Sequence, residues 1–232
     1  MAKFDLTGIS VALAIPINRP IPWQVFIATI DTIDLMRRHG VRVATQLTIG
    51  CSFIHLARNL ALDTFLHSDC NRLFFLDEDV VWKPDDFLKM VALSTEMDVL
   101  CASYPLKQDE TKFWFHGNPP FDGDEEKHGC ASIFGTGLGF TIINRAVVER
   151  LAERAPRVKV HFRDSDFARV FRLEAIDGKE YSEDILFFRD CRDLGYKVWL
   201  DPSIELSHIG EKAYTGSVLQ LMDKYRRSAG DE

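Results

Sequence analysis

The sequence has little of what marks several common protein classes. Its five cysteines, Cys51, Cys70, Cys101, Cys130 and Cys191, are odd in number, widely spaced and form no Cys-x-x-Cys pair. That pattern argues against a disulfide framework or a cysteine zinc site, and for reduced thiols in a cytoplasm, most of them serving as small core residues. No apolar run approaches the ~18 residues of a membrane span. The first, Ile9 to Ile17, is short, is interrupted by Pro16 and lacks a small-residue cleavage pattern, so it reads as a buried strand and not as a signal peptide or an integral membrane segment. Positive charge is also lacking. The formal net charge of −7 gives no electrostatic support for nucleic-acid or anionic-membrane binding. An acidic chain that binds phosphate then needs a metal or a local group of Arg and Lys. There is no internal repeat, and Gly137-Leu138-Gly139 completes no G-x-G-x-x-G dinucleotide fingerprint and opens no helix.

What is present is strand–helix alternation. Ile9 to Ile15 is a continuous apolar run, as expected of a strand covered on both faces. Pro16 to Pro22 follows as a loop. Trp23 to His39 has helical periodicity and stops at Gly40, and Val41 to Ile49 alternates like a strand. Phe53, Leu56, Ala57, Leu60, Ala61, Thr64 and Phe65 mark one face of a second helix. Pro84 can open a third, with Asp85 and Asp86 in its first turn and an end near Glu96, before a strand over Val99 to Tyr104. The pattern predicts an α/β, doubly wound, mostly parallel sheet, in which ligands bind beyond the carboxyl ends of the strands.

The second half is less regular. Lys112 to His116 reads as an aromatic strand, and His116 to His128 as an exposed loop rich in Gly, Pro and acids. Ile133 to Ile143 reads as a strand whose glycines, Gly135, Gly137 and Gly139, imply a bulge or a backbone that something approaches closely. Helices are expected over Arg145 to Arg154 and Ser182 to Leu194, a strand over Tyr196 to Leu200, and a terminal helix over Gly216 to Arg227. Val158 to Lys179 is mixed. The 232 residues form a single domain in this reading, with 216–232 as a C-terminal helix and tail.

The most informative stretch is Arg72 to Val81, where an apolar strand runs directly into Asp77, Glu78 and Asp79. Acids are depleted from strand interiors, and three together repel one another unless something positive sits there. A divalent cation holding a diphosphate would meet that need, because hard cations take carboxylate oxygens. An isolated pair of such acids is more often a solvated strand end. Here two strand–helix units precede the cluster and place it on the ligand edge of the sheet, beside Pro16-Ile17-Asn18-Arg19 after the first strand.

Four features in this order, Ile15 to Arg19, Leu76 to Asp79, Ser182-Glu183-Asp184 and Ser207 to Lys212, resemble the nucleotide-sugar-dependent glycosyltransferases of the GT-A fold, including the large family 2 group. The resemblance spans about Ile9 to Lys212. It implies a GT-A (Rossmann-like) doubly wound mixed, mostly parallel sheet with helices on both faces, in which 1–107 would be the nucleotide-sugar-binding half and 108–215 the acceptor and catalytic half. Asp77-Glu78-Asp79 stands as the Asp-x-Asp motif, with Asp79 on Mn²⁺ or Mg²⁺ and Asp77 on the ribose or a metal-bound water. His208 stands as the third metal ligand. Pro16, Asn18 and Arg19 would line the nucleoside pocket, with Glu78 beside them. Asp184, with its neighbour Glu183, matches the base of inverting members. The donor would be a UDP- or GDP-sugar, and the acceptor a carbohydrate or other hydroxyl compound.

Other readings of the same residues stay open. Ser182-Glu183-Asp184 is also a sound helix start, with Ser182 capping and the acids at the positive end. His208 could be an ordinary loop histidine. Arg58 borders the apolar face of its helix and could meet a phosphate or extend into solvent. Trp114, Tyr104 and Lys107 could shape a sugar or acceptor site, and Arg163 to Asp166 could be an acceptor loop. His208-Ile209-Gly210-Glu211-Lys212 also approaches, one residue short, the His-x-Gly-x-x-Lys segment of retaining enzymes, in which Lys212 would bind the diphosphate. Asp77 and Asp79 also fit a haloacid-dehalogenase-type phosphatase, although its downstream partners are missing. A nucleotidylyltransferase would want a glycine-rich loop where Asn18 to Pro22 has none, and a non-catalytic sugar- or nucleotide-binding module would need no metal and no base.

Overall fold

The computed structural model describes residues 4–117, 121–220 and 222. Its first half follows the alternation of the sequence: β1 (Ser10–Ile17), α1 (Trp23–Arg38), β2 (Arg42–Ile49), α2 (Ile54–Leu66), β3 (Arg72–Leu76), the short β4 (Val80–Val81), α3 (Pro84–Leu93) and β5 (Val99–Cys101). The second half adds β6 (Phe121–Lys127), β7 (Cys130–Ile133), β8 (Phe140–Asn144), α4 (Arg145–Arg154), the small pairs β9 (Arg157–Val158) with β10 (Phe167–Ala168) and β11 (Glu174–Ile176) with β12 (Lys179–Tyr181), α5 (Glu183–Asp193), β13 (Val198–Leu200), β14 (Leu206–Ile209) and β15 (Ala213–Gly216).

Eight strands form one sheet in the order β2-β1-β3-β8-β5-β13-β7-β6. β1 runs parallel to β2 and β3, and β13 parallel to β5; β8 and β7 run against their neighbours, so six strands share one direction and two oppose it. Alternate residues of β1 enter two cores. Val11, Leu13 and Ile15 join the side that holds α1 and α3, whereas Ala12 and Ala14 join the side that holds α2, α4 and α5. Ala12 and Ala14 share that core with Ala61 of α2, and these small residues leave room for the helix to sit close to the sheet. A second sheet, β15-β14-β4, is built on the residues just after the acidic cluster.

Several sequence-based boundaries shift for identifiable reasons. β1 continues through Pro16 to Ile17, because parallel pairing with β2 persists to Ile17 opposite Ile49. Lys112 to His116 is no strand and carries a single bridge, Phe115 to Thr136. The expected loop before His128 contains β6, which returns as β7 through His128 and Gly129, both at positive φ (52° and 77°) as a two-residue hairpin turn requires. The expected strand over Ile133 to Ile143 is two strands, β7 and β8, separated by the glycine segment. The expected terminal helix is described only over Val218 to Gln220 and at Met222; the rest of it lies outside the described residues. Among the described residues, no helix is long and apolar enough to cross a membrane, and all five cysteines are free thiols.

Asn59 ties the halves together. Its amide donates to the Phe171 carbonyl at 2.7 Å and accepts from the Phe171 N–H at 2.9 Å, with the side chain 1% exposed. Removing it orphans a buried donor and a buried acceptor, each worth ~1–3 kcal/mol. Asn59→Ala is expected to lower unfolding stability by about 2–5 kcal/mol in a urea titration; a loss under ~1 kcal/mol would contradict this bridging role.

Candidate active site

The three acids occupy a tight turn at the end of β3, closed by the Val80 N–H on the Asp77 carbonyl at 3.1 Å. The turn splays their carboxylates toward three different sets of partners, which resolves the repulsion the sequence poses.

Asp77 points inward. Its Oδ1 accepts from Arg58 Nη2 at 2.8 Å and its Oδ2 from the Tyr104 hydroxyl at 3.0 Å. Arg58 Nη1 donates to Glu183 Oε1 at 2.6 Å, so one guanidinium, 3% exposed, joins α2, the β3 end and the start of α5. Burial pulls this guanidinium's pKa down, but Asp77 and then Glu183 outweigh it, and the group sits above its ordinary range. Burial pushes the Glu183 carboxyl up against the opposing pull of Arg58. Burial, and next the Asp77 charge, push the Tyr104 phenol well up, so Tyr104 stays neutral and donates.

Glu78 points to the segment after β1. Its Oε2 accepts the backbone N–H groups of Asn18 at 2.6 Å and Arg19 at 3.0 Å, and its Oε1 accepts from Arg19 Nε at 2.9 Å. The middle acid therefore fixes the shape of the Pro16–Arg19 loop.

Asp79 points into the open cleft. Its Oδ2 meets Lys107 Nζ at 2.6 Å and Arg19 Nη2 at 2.8 Å, and its Oδ1 lies 3.3 Å from His208 Nε2. Burial would raise this carboxyl, but His208 and Lys107 outweigh it and hold it well below the usual carboxylate range. β14 brings His208 here by pairing with Val80, and the Ile209 N–H bonds the Asp79 carbonyl at 2.8 Å. His208 Nδ1 lies 3.0 Å from the Pro105 carbonyl, which can only accept, so the proton belongs on Nδ1. In the neutral ring Nε2 then turns a lone pair toward the Asp79 oxygen, a juxtaposition that calls for a proton or a cation between them. Two donor atoms sharing a small divalent cation at ~2.0–2.2 Å lie roughly 3.0–3.5 Å apart, so Asp79 and His208 fit such an ion. Asp77 does not join them, because Arg58 and Tyr104 engage both of its oxygens. Among the described residues no group of three or more His, Cys, Asp or Glu could hold a metal ion. A cation here would take two protein ligands and complete its shell with phosphate oxygens or water, as Mg²⁺ commonly does.

The cleft has a volume of about 460 Å³, and its walls include Pro16, Asn18, Arg19, Asp77, Glu78, Asp79, Tyr104, Lys107 and His208, together with Cys51 and Ser52 from the β2–α2 connection and Ile54 at the start of α2. Those last three carried no sequence signal; only the pairing of β2 beside β1 places them there. Five sequence candidates lie elsewhere. Arg58 and Glu183 are buried beneath the cleft and bind each other and Asp77, not a phosphate. Lys212 is exposed and paired with Asp109 at 2.5 Å, because the β14–β15 turn carries it outward. Lys107, not Lys212, places an ammonium in the cleft, 2.6 Å from Asp79. Asp184 is half-buried at the α5 start, where its Oδ1 accepts from the Ser182 hydroxyl and from the Ile185 N–H at 2.8 Å. Arg163 pairs with Asp63 at 2.5 Å and does not line the cleft.

The glycine segment explains itself here. A Cβ on Gly139 would lie 2.3 Å from Asp77 Oδ2, on Gly137 2.6 Å from the Tyr104 hydroxyl, and on Gly135 2.4 Å from His116 Nδ1. Every second residue lacks a side chain so that an acid, a phenol and an imidazole can lie against the backbone.

No known family profile matches this sequence, and no curated protein matches it either. Similarity appears among solved structures. A crystal structure of a protein from STIV shares 22% identity over 90% of each chain, with a TM-score of 0.56. The catalytic domain of Drosophila beta1,4galactosyltransferase 7, in complex with xylobiose, shares 14% identity over 87% of this chain and 71% of its own, with a TM-score of 0.50. The chain has the GT-A fold of glycosyltransferases.

Two outcomes follow. Arg58→Ala strands the buried Glu183 carboxylate and the half-buried Asp77 carboxylate and is expected to cost about 3–5 kcal/mol of stability, read by chemical denaturation; a loss below ~1 kcal/mol would contradict the network. His116 is held down to about 4 by burial, with only Asp184 pulling upward. The unfolded chain therefore takes up a proton near pH 6.5 that the folded chain refuses until about pH 4. The contribution of neutral His116 is complete above pH 6.5 and falls away as pH drops toward 4, by up to ~3 kcal/mol. Denaturation of wild type and His116→Gln across that window should show a pH slope that the variant lacks; parallel slopes would contradict it.

Proposed function

We propose that this chain is a metal-dependent glycosyltransferase that moves a sugar from a nucleoside diphosphate sugar to an acceptor hydroxyl. The observation that carries the proposal is the facing of Asp79 Oδ1 and His208 Nε2 at 3.3 Å, with Arg19 and Lys107 on the same carboxylate, at the ligand edge of a GT-A sheet. Asp79 and His208 would hold Mn²⁺ or Mg²⁺, which when bound supplies positive charge to the diphosphate leaving group.

The rest is work for the chain's own residues. Lys107 and Arg19 are cations within reach of the same space. A diphosphate can draw them from Asp79, so its charge is met by groups already in place. Glu78 holds the Asn18 and Arg19 backbone and so shapes the wall where a nucleoside would lie. Asp77, fixed by Arg58 and Tyr104, presents a rigid carboxylate edge to a ribose or sugar hydroxyl.

Asp184 is the acceptor-side base in this reading. Its Oδ1 is held by the Ser182 hydroxyl and the Ile185 N–H at the start of α5, which fixes the carboxylate in place to take a hydroxyl proton, and Glu183 is committed to Arg58. An inverting transfer is favoured over a retaining one because Lys212 stands away from the cleft. The phosphatase reading weakens because Asp77, its would-be nucleophile, is engaged by Arg58 and Tyr104. The sugar complex of the Drosophila neighbour supports a carbohydrate acceptor as the first class to try.

Asp79→Ala is expected to keep the fold by circular dichroism while lowering metal-dependent turnover of the cognate donor at least ~100-fold. A variant with near-normal turnover sinks the proposal. Asp184→Asn should retain donor binding in a thermal-shift assay with UDP- and GDP-sugars and Mn²⁺ but lose transfer; full activity would remove Asp184 from the base role. Equal donor binding with and without metal, and no turnover, would indicate a non-catalytic binding module.

A further inference from the structure

One corner of the molecule carries an unusual concentration of exposed apolar side chains. On α1, Trp23, Phe26, Ile27 and Ile30 are 71%, 58%, 46% and 47% exposed. Their spacing of 0, 3, 4 and 7 makes a continuous helical stripe, opposite the buried face of Val25, Ala28, Thr32 and Met36. On β2, Leu47 and Ile49 are 50% and 72% exposed, and just beyond it Phe53 is 66% exposed.

These residues belong to one surface. Val43 packs into the core on the α1 side, so Thr45, Leu47 and Ile49 share that side by the two-residue period of a strand. β2 runs parallel to β1, so its Ile49 end lies where β1 leads into Trp23. The stripe and the strand end therefore meet at the same corner.

β2 is also the free edge of the eight-stranded sheet: among the described residues it pairs with β1 alone. Its eight residues run in unbroken register and contain no proline, no lysine and no bulge. The one charge, Arg42, stands at its start and is paired with Asp69 at 2.7 Å. An edge of eight residues with no proline, no bulge and no charge beyond its first residue recruits another strand unless it is covered.

We propose that this corner is the interface of a symmetric dimer, in which β2 of a second copy adds antiparallel to β2 and the apolar residues around it are buried. Three observations choose a second copy over a lipid surface. A bilayer cannot satisfy the unpaired N–H and C=O groups of a strand edge, whereas another β2 can. The net charge of −7 works against anionic membranes. The area is that of a protein interface: at ~200 Å² for a large side chain, the exposed fractions leave on the order of 800 Å² open, close to the ~800 Å² per partner of a standard interface. The same edge on each copy satisfies the self-complementarity that a twofold axis demands. Ser52 and Ile54, which follow β2 directly, line the cleft, so the dimer would set its seam beside the mouth of each site.

Sedimentation velocity and light scattering on the intact chain should report twice its 26.5 kDa mass. The paired variant Leu47→Lys with Ile49→Lys, and separately Phe26→Glu, should return it to a monomer with unchanged circular dichroism. A wild-type monomer at tens of micromolar overturns the proposal, as does a dimer that survives both variants. A monomer that floats with neutral phosphatidylcholine vesicles would assign the corner to a lipid surface instead. Should a variant misfold, amide hydrogen exchange on wild type decides: β2 amides protected more strongly at high protein concentration than at low support the pairing, and concentration-independent exchange overturns it.

Discussion

The site depends on one buried guanidinium. Arg58 has a carboxylate on each side, Asp77 at 2.8 Å and Glu183 at 2.6 Å, and almost no contact with water. An unpaired charge in that position would be untenable, so each group's presence requires the others. Three elements far apart in sequence, the second helix, the third strand and the fifth helix, are thereby held at one point. Because Asp77 is fixed from below, the turn that follows it has only one way to present Glu78 and Asp79. The former reaches the loop after the first strand, and the latter faces the cleft. Tyr104 closes the arrangement from the side, and Gly139 lets Asp77 lie flat on the backbone.

This arrangement separates two tasks that the sequence runs together in three consecutive acids. Asp77 and Glu78 carry the internal contacts that shape the site, whereas Asp79 faces the open cleft, where the proposed function places the metal. It does so in company with His208, which the small three-stranded sheet delivers, and whose other ring nitrogen is fixed by the Pro105 carbonyl. Two cationic side chains complete the surroundings. A cleft in which an acid faces an imidazole, with two cations on the same carboxylate, is suited to a ligand that carries both phosphate and a divalent ion.

The alternating half of the fold was legible because each of its elements has its own period: apolar runs for buried strands, a 3.6-residue stripe for helices, and a glycine stop between them. The ligand edge followed from that alternation, and Pro16, Asn18, Arg19, Asp77, Glu78, Asp79 and His208 do line one cleft. What was not legible depends on contacts between distant segments. Nothing local distinguishes Lys107 from Lys212, since each follows a strand and only the direction of a turn decides which faces inward. Arg58 could be placed near the edge but not beneath it, because its two partners lie 19 and 125 residues away. The hairpin of β6 and β7 was hidden in a polar segment whose only signal was the His128-Gly129 turn. The three glycines were correctly flagged as sites of close approach, yet the groups that approach them, Asp77, Tyr104 and His116, could not be named without the fold.

The central claim is that Asp79 and His208 hold one divalent cation together with a diphosphate. Pulsed electron paramagnetic resonance on Mn²⁺ bound to the protein with UDP or GDP reads this directly. The account predicts a nitrogen coupling from a single imidazole that disappears in His208→Ala, together with phosphorus couplings from the nucleotide. Bound Mn²⁺ with no imidazole nitrogen coupling, or with a coupling unchanged in His208→Ala, would contradict it.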